Sequence, residues 1–426
     1  MGKFEDQDLD EKRLRRRQRR KRSQLMAAIT LAVFLLLIIS GAAFGIHYLK
    51  GILKDKKIVQ EVQEAAAAEQ SSQEIVIETP QEEEEVPELS EEDLLEEIVD
   101  TCISEMPLED KVAGLFIVTP EQITGVETAV KAGSGTQDAL AQYAVGGISY
   151  AAKNIKSEDQ ITDMLKATVS MSKYPIFTMA SEEGNIQSAI TSSIDTVGAD
   201  EITDVASAEQ AGSKIGAVMY KYGFNMNLAP TVVLSEDNHF GADPGEAGNR
   251  MTSFIIGLKS QGINSCANSF PVSADTDEET LSQLTKEDLE AGAYIPFKNA
   301  IEGDNLTAVL VGNAVLPNIA TDSSPASLSE TMINTELRGN LGFNGIVISG
   351  PFNDKAITDS YPADRIAVQA LSAGADMIYL CSDFEAAYNG LLEAVKSGEI
   401  SESRIDDSLK RIYRIKYADR VDEITN

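Results

Sequence analysis

Short apolar runs alternate with longer stretches of helical periodicity from about residue 96 to about residue 417. The runs are four to six residues long and rich in β-branched side chains, which is typical of buried strands in a parallel sheet. The stretches between them, such as SEDQITDMLKATVSMS and DRIAVQALSAGA, repeat apolar residues at helical spacing. The predicted strands lie at 115–118, 146–150, 175–180, 224–229, 263–267, 307–312, 345–349 and 376–380.

This alternation predicts an α/β fold, a single (β/α)₈ TIM barrel of roughly 300 residues. We place the barrel at residues 96–420, followed by a short tail at 421–426. A doubly wound open sheet is the alternative, but no glycine fingerprint follows the first strand. Barrel chemistry lies at the C-terminal ends of the strands, and there this chain has mostly small or amide residues.

The segment from Leu25 to Leu49 has no charged residue and is long enough to cross a bilayer as a helix. It follows RLRRRQRRKR, and the positive-inside rule then places residues 1–24 in the cytoplasm and the barrel outside it. The apolar run exceeds the ~7–15 residues of a signal-peptide core, and no clear small-x-small cleavage site follows. An uncleaved signal anchor is therefore favoured over a cleaved signal peptide, and the predicted location is the cell membrane, with a single pass.

Residues 50–95 connect this segment to the barrel. Their later part contains QEEEEVPELSEED, which combines low hydrophobicity, charge of one sign and two prolines. Such a composition repels itself and predicts an extended acidic stalk rather than a folded unit.

Charge and rare residue types exclude several classes of function. The formal net charge is −32, which argues against a nucleic-acid partner. The chain has only two histidines, so a multi-histidine metal site is excluded, and it has no tryptophan to stack on a sugar ring. Three widely spaced cysteines lie in apolar runs, which predicts buried free thiols rather than disulfides or a zinc site. We predict neither a metal nor a cofactor.

Several segments together resemble one known family across nearly all of residues 100–417. They are MPLEDKVAGLFIV (106–118), GGISYAAKNIKSEDQI (146–161), GFNMNLAP (223–230), SFPVSADT (269–276), SLSETMINTELRGNLGFNGIVIS (327–349), ALSAGADMIYLC (370–381) and SGEISESRIDDSLKRIYRIKY (397–417). In this order they resemble the N-terminal barrel domain of glycoside hydrolase family 3, especially its bacterial β-N-acetylglucosaminidase branch. The resemblance implies a retaining mechanism with a carboxylate nucleophile and a proton donor.

The catalytic positions that the resemblance implies do not carry catalytic side chains here. The family's nucleophile is an Asp directly after the seventh strand, and this chain has Gly350 there. The Asp-x-His acid/base pair of the branch falls on Glu279 and Leu281, and leucine cannot transfer a proton.

The sugar-binding positions that the resemblance implies have also changed. The Asp-Gln-Glu-Gly-Gly segment is SEEGN here, the Lys-His-Phe-Pro-Gly-His-Gly motif is NSFPVSA, a binding Arg aligns with Asn238 and a His aligns with Asn313. Asp354, four residues after Gly350, is a candidate to reach back into the site, but loop geometry does not require this and the interpretation is not favoured. The candidate pocket-lining residues are Ser181, Glu182, Glu183, Asn238, Asn268, Ser269, Ser273, Asp275, Asn313 and Asp354.

Two acidic groups have ordinary structural interpretations beside the functional ones. Glu182 and Glu183 are either a surviving acid pair or first-turn acids of a short helix capped by Ser181, and the cap is favoured. Asp275, Asp277 and Glu279 have the oxygen ligands of a hard-cation site but not the glycine and spacing of a calcium loop. A solvated acidic loop is favoured for these three.

Three functional hypotheses follow. The first is a membrane-anchored extracytoplasmic pseudo-enzyme that binds or scaffolds at the cell envelope, with a cell-wall glycan or an envelope protein as partner. The alternative is an active hydrolase of β-linked N-acetylglucosaminides or glucosides whose catalytic carboxylates are reassigned. The third is a barrel that serves only as a spacer. The sequence does not define the oligomeric state.

Overall fold

Eight parallel strands close into a barrel in the part of the chain that the computed structural model describes, residues 90–185, 188–194, 202–303, 305–320, 324–353 and 355–418. Each strand pairs with the next along the chain, and the eighth pairs with the first. The strands are β1 Phe116–Val118, β2 Gly147–Ser149, β3 Phe177–Ala180, β4 Met226–Asn227, β5 Asn264–Phe270, β6 Ala308–Val311, β7 Ile346–Ser349 and β8 Met377–Tyr379. Each lies on a predicted run, and β5 extends beyond its run to Phe270, so the (β/α)₈ prediction is confirmed.

Helices surround this barrel and connect its strands. The α-helices are α1 Glu91–Glu105, α2 Leu108–Ala113, α3 Pro120–Thr124, α4 Ser134–Gln142, α5 Glu158–Met171, α6 Thr191–Ile194, α7 Val205–Tyr222, α8 Pro244–Lys259, α9 Glu278–Gln283, α10 Lys286–Ala291, α11 Tyr294–Glu302, α12 Lys355–Thr358, α13 Ala363–Ala373, α14 Phe384–Lys396 and α15 Glu402–Tyr417. A π-helical stretch at Thr331–Asn340 precedes β7. The longer helices bury one apolar face against the strands, as the helical spacing predicts.

Side chains fill the interior of the barrel. Ile117 pairs with Gly147, which in turn pairs with Phe177, so the three face the same side of the sheet. A Cβ added at Gly147 would lie 3.3 Å from the side chains of both Ile117 and Met179. The centre of the barrel is therefore a packed core, as in other barrels of this size, and a ligand site can lie only at its rim or on its outer wall.

The N-terminal end of the barrel is held by a buried ionic cluster around Asp376, which directly precedes β8. Its side chain is fully buried and accepts hydrogen bonds from Arg338 at 2.6 Å, from Arg411 at 3.2 Å and from Ser408 at 2.9 Å. It also accepts the backbone N–H of Val347 at 2.9 Å. One carboxylate thereby ties the π-helical stretch and α15 to the strand β7.

The segments outside the described residues include the predicted cytoplasmic tail, the predicted span from Leu25 to Leu49 and the tail at 421–426. Among the helices that the structure does describe, none has the length and apolarity to cross a membrane. The helix α1 begins at Glu91, inside the segment that composition predicts to be extended. Ser90 forms a capping box with Asp93 there, and Val99 and Ile103 are buried, so burial of one helix face outweighs the acidic composition.

The cysteines are free thiols, as predicted. Cys266 and Cys381 are buried, and Cys102 is partly exposed. Burial in apolar surroundings raises the pKa of the Cys266 and Cys381 thiols, which makes them poor nucleophiles.

Candidate functional site

Gly350 directly follows β7, at the rim where the resemblance places a nucleophile. Its φ angle is 135°, a region that side-chain-bearing residues rarely adopt. A Cβ added there would lie 2.5 Å from the carbonyl oxygen of Tyr379 and 3.2 Å from the backbone nitrogen of Phe352. The position therefore lacks both a carboxylate and the space for one.

The backbone after Gly350 is bonded to strand ends on both sides. The side-chain amide of Asn313 donates to the carbonyl of Pro351 at 2.7 Å, and the N–H of Phe352 donates to the carbonyl of Tyr379 at 3.0 Å. The side chain of Phe352 is 1% exposed. These contacts fix the loop against β6 and β8 and bury an aromatic ring at the rim. Asp354 lies outside the described residues.

Both ends of the Asn313 side-chain amide form hydrogen bonds within the protein. Its Oδ1 accepts the hydroxyl of Ser327 at 2.6 Å while its Nδ2 donates to Pro351. This is the position to which the resemblance assigns a sugar-binding histidine, and here its side chain holds the loop in place instead.

Glu182 is a fully buried anchor for the loop after β3. Its two carboxylate oxygens accept the N–H groups of Gly184 at 2.8 Å, Ile190 at 2.8 Å and Thr191 at 3.0 Å, and the Thr191 hydroxyl at 2.7 Å. The favoured interpretation, a helix capped by Ser181, is wrong, because no helix begins there and α6 starts only at Thr191. A tight loop closed around a carboxylate satisfies the backbone donors instead.

Glu183, the other acid of the pair, is a half-buried residue. It accepts the backbone N–H of Thr231. Desolvation raises its pKa to about 7, and the neighbouring carboxylate of Glu182 acts in the same direction. Its carboxyl therefore exchanges a proton near neutral pH.

Glu183→Gln should stabilise the protein at alkaline pH and leave it unchanged in acid. A carboxyl with a raised folded-state pKa contributes its stability below the unfolded-state value near 4.5 and loses it as pH rises through about 7. The amide keeps the acceptor for Thr231 and has no charge to desolvate. The expected gain at pH 8 is about 1–2 kcal/mol, measured by urea unfolding at pH 5 and pH 8. An equal effect at both pH values would contradict the assignment.

The acid/base positions lie on the helix α9. Glu279 is exposed in its first turn, and Leu281 packs partly against the core. Asp277 caps this helix by accepting the N–H of Thr280 at 2.9 Å and its hydroxyl at 2.7 Å. Of the three acids predicted to lie in a solvated loop, Asp275 and Asp277 precede this helix, Glu279 lies in its first turn, and all three are exposed. The described residues hold no cluster of three or more metal-ligating side chains.

The remaining candidates are bonded to nearby backbone. Ser269 donates its hydroxyl to the carbonyl of Val272 at 2.9 Å, and Ser273 accepts the N–H of Asp275 at 3.3 Å. The backbone of Asn268 accepts the N–H of Val232 at 2.6 Å. In the loop after β4, Asn238 accepts the N–H of Phe240 at 2.8 Å through its side chain.

The sequence model described as the Glycosyl hydrolase family 3 N terminal domain matches residues 107–415 of this chain. The chain belongs to glycosyl hydrolase family 3. It is similar to a beta-hexosaminidase of Haemophilus influenzae, with 26% identity over 286 residues, which are 62% of this chain and 79% of that protein. It is also similar to the beta-hexosaminidase LpqI of Mycobacterium tuberculosis, with 26% identity over 336 residues, or 72% and 82% of the two chains.

Solved structures agree with this family. A family 3 β-N-acetylglucosaminidase from Paenibacillus superposes with a TM-score of 0.66 and 26% identity, covering 74% of this chain. The match covers 63% of the Paenibacillus chain, so over a third of that protein has no counterpart in the aligned region.

Reasoning from sequence missed two contributors to this family 3 rim. Tyr379 supplies the carbonyl that excludes a side chain at Gly350, and its hydroxyl lies 3.3 Å from that of Ser149 inside the barrel. Thr231 supplies the N–H that holds Glu183. A backbone group carries no sequence signal, so only the tyrosine hydroxyl within an otherwise apolar strand could have pointed to this region.

Proposed function

We propose that this member of glycosyl hydrolase family 3 is a membrane-anchored extracytoplasmic pseudo-enzyme that binds or scaffolds at the cell envelope. The observation that carries the proposal is the backbone at Gly350. A retaining mechanism needs a carboxylate at that point, and the Tyr379 carbonyl occupies the space that its Cβ would need.

Two of the described carboxylates near the family positions, Glu182 and Glu279, have other roles. Glycoside hydrolysis needs two carboxyl groups about 5–5.5 Å or about 6.5–9.5 Å apart across one bond. The carboxylate oxygens of Glu182 accept four hydrogen bonds within its own loop. Glu279 is an exposed residue of α9 rather than a pocket group. The carboxyl left with the character of an acid catalyst is Glu183.

Features of the sequence support the proposed anchoring and the proposed class of partner. The uncharged segment from Leu25 to Leu49 with its basic flank supports a single membrane pass that places the barrel outside. Strong acidity argues against nucleic acid and other polyanions as partners. A cell-wall glycan or an envelope protein remains as the class of partner.

An active hydrolase of β-linked N-acetylglucosaminides or glucosides is the second candidate, and Glu183 favours it. A carboxyl with a pKa of about 7 is well suited to general acid catalysis at neutral pH. This candidate also requires a nucleophile or a base, which would have to come from a reassigned carboxylate.

Release of chromophore from aryl β-N-acetylglucosaminide and aryl β-glucoside tests the proposal. The purified full-length protein should release no more chromophore than buffer, while an active beta-hexosaminidase assayed alongside shows that the conditions permit turnover. Because a lost proton donor lowers the rate by roughly 10²–10⁴-fold, turnover by the native chain that collapses in Glu183→Gln would establish the hydrolase instead.

A further inference from the structure

A polar groove of about 350 Å³ lies on the outer wall of the barrel, between α13 and the segment that leads into the π-helical stretch. We call it the Tyr361 groove. The residues that give it its chemistry are Tyr361, Arg365, Gln369, Ser372, Leu328 and Glu330. Its volume is at the lower end of the ~300–1,000 Å³ of small-ligand sites. The rim positions discussed above, Gly350 and Glu183 among them, are not part of its lining.

One side of α13 provides most of its polar groups. Arg365, Gln369 and Ser372 follow one another at helical spacing, and the last two are exposed. The opposite side of this helix carries Ile366 and Leu371 into the core, which fixes the orientation of the polar face. The groove wall is therefore a rigid helix rather than a loop.

Apolar and aromatic surface accompanies these polar groups. Leu328 and Val368 are buried and line the base of the groove, and Tyr361 presents a partly exposed ring. An aromatic ring and an apolar base match the C–H faces of a sugar ring, and an amide with a hydroxyl matches its hydroxyl groups.

The charge in the groove disfavours anionic ligands. Arg365 and Glu399 form an ion pair, with one N–H donating to the carboxylate at 3.0 Å, so these two charges offset each other. Glu330 remains and leaves a net charge of about −1 in the lining, which disfavours phosphates, nucleotides and acidic sugars.

A second groove of about 500 Å³ adjoins the first and shares Arg365 and Glu399 with it. Its lining adds Asn389, Ser397 and two acidic residues, Asp364 and Glu393. A ligand that extends past the ion pair would enter this second groove, so a chain of several units fits the surface better than a single small molecule.

We propose that the Tyr361 groove binds a neutral oligosaccharide, at a site separate from the one inherited from the hydrolase family. The inference goes beyond the proposed function, because the groove lies outside the rim and its role does not depend on whether the rim is catalytic. An open groove buries only part of its ligand, so the expected Kd is on the order of 0.1–1 mM.

Titration of the full-length protein with chitotriose, a neutral trimer of N-acetylglucosamine, tests this inference by saturation-transfer NMR. Tyr361→Ala and Ser372→Arg should each weaken binding at least tenfold. The exposed position of Ser372 makes the second variant safe for folding. Tyr220→Ala is the matched control, because Tyr220 is 68% exposed on α7 and does not line either groove. It should leave the Kd unchanged.

Three results would overturn the inference. The first is no saturation transfer at about 5 mM chitotriose, several times the highest Kd expected. The second is binding that Ser372→Arg leaves intact, since the sugar would then lie elsewhere. The third is binding of tetralysine in place of chitotriose, which would assign the groove to a cationic peptide. Chromophore release by the native chain would refute the pseudo-enzyme but not the groove, so the two failures are distinguishable.

Discussion

Asp376→Asn is expected to lower the free energy of unfolding by about 3–5 kcal/mol, the range for breaking a buried ion pair from one side. The carboxylate is fully buried and faces Arg338, Arg411 and, at 4.0 Å, Arg404. Asparagine can still accept one or two of these hydrogen bonds, but it removes the negative charge. Guanidinium groups with limited access to water then lose the charge that balances them.

Asp100→Asn is the matched control for this change. Asp100 pairs with Lys410 of α15 at 2.8 Å, but both side chains are almost half exposed. An exposed pair of this kind contributes about 0–1 kcal/mol. Urea unfolding of both variants, followed by circular dichroism, measures the difference. Equal losses would show that the Asp376 cluster is no stronger than a surface ion pair.

The barrel was predictable because the same sequence pattern, a short apolar run followed by an amphipathic stretch, repeats along the chain. Each buried strand, such as Ile346–Ser349, needs a short apolar run, and each covering helix needs one apolar face. A wrong boundary for one predicted strand or helix does not change the prediction of the others. Two boundaries differed. The strand β5 extends past its predicted run to Phe270, and α1 begins early because the capping box of Ser90 and the burial of Ile103 outweigh a local excess of acid.

The chemistry at the rim was harder to predict, because identical side chains serve different purposes there. Glu182 and Glu183 are neighbours in sequence, yet one is a buried acceptor of four hydrogen bonds and the other is a half-buried residue whose carboxyl has a pKa of about 7. Sequence alignment identified the glycine at 350. The steric exclusion depends on a carbonyl of another strand, and no residue type encodes it.

Gly350→Asp, the simplest restoration of the family nucleophile, is expected to yield no turnover and to destabilise the fold by about 3 kcal/mol or more. Two causes add. A φ of 135° strains any residue with a Cβ, and that Cβ would lie 2.5 Å from a backbone carbonyl that cannot move without β8. Adding Leu281→His should not rescue activity, because the barrier lies at the nucleophile position.

Glycine-to-alanine variants separate these causes without adding a charge. Gly350→Ala combines the unfavourable φ with the steric clash. Gly342 has a φ of 73° and nothing within 4 Å of an added Cβ, so its alanine variant measures the backbone term alone, about 1–2 kcal/mol. Gly135 lies in α4 with open space around it, and alanine there should stabilise the helix by up to about 1 kcal/mol.

Two measurements test whether position 350 can accept a side chain. The first is the unfolding midpoint of each of the three alanine variants. The second is aryl-glycoside turnover by Gly350→Asp and by its double variant with Leu281→His. A loss at Gly350 that clearly exceeds the loss at Gly342 would show that position 350 excludes a side chain, through its φ of 135° and the Tyr379 carbonyl together. Turnover by a stable Gly350→Asp protein would show the reverse, that β7 and β8 adapt to a side chain. The missing nucleophile would then be a reversible substitution, and the pseudo-enzyme proposal would rest on the identity of the side chains at the family positions alone.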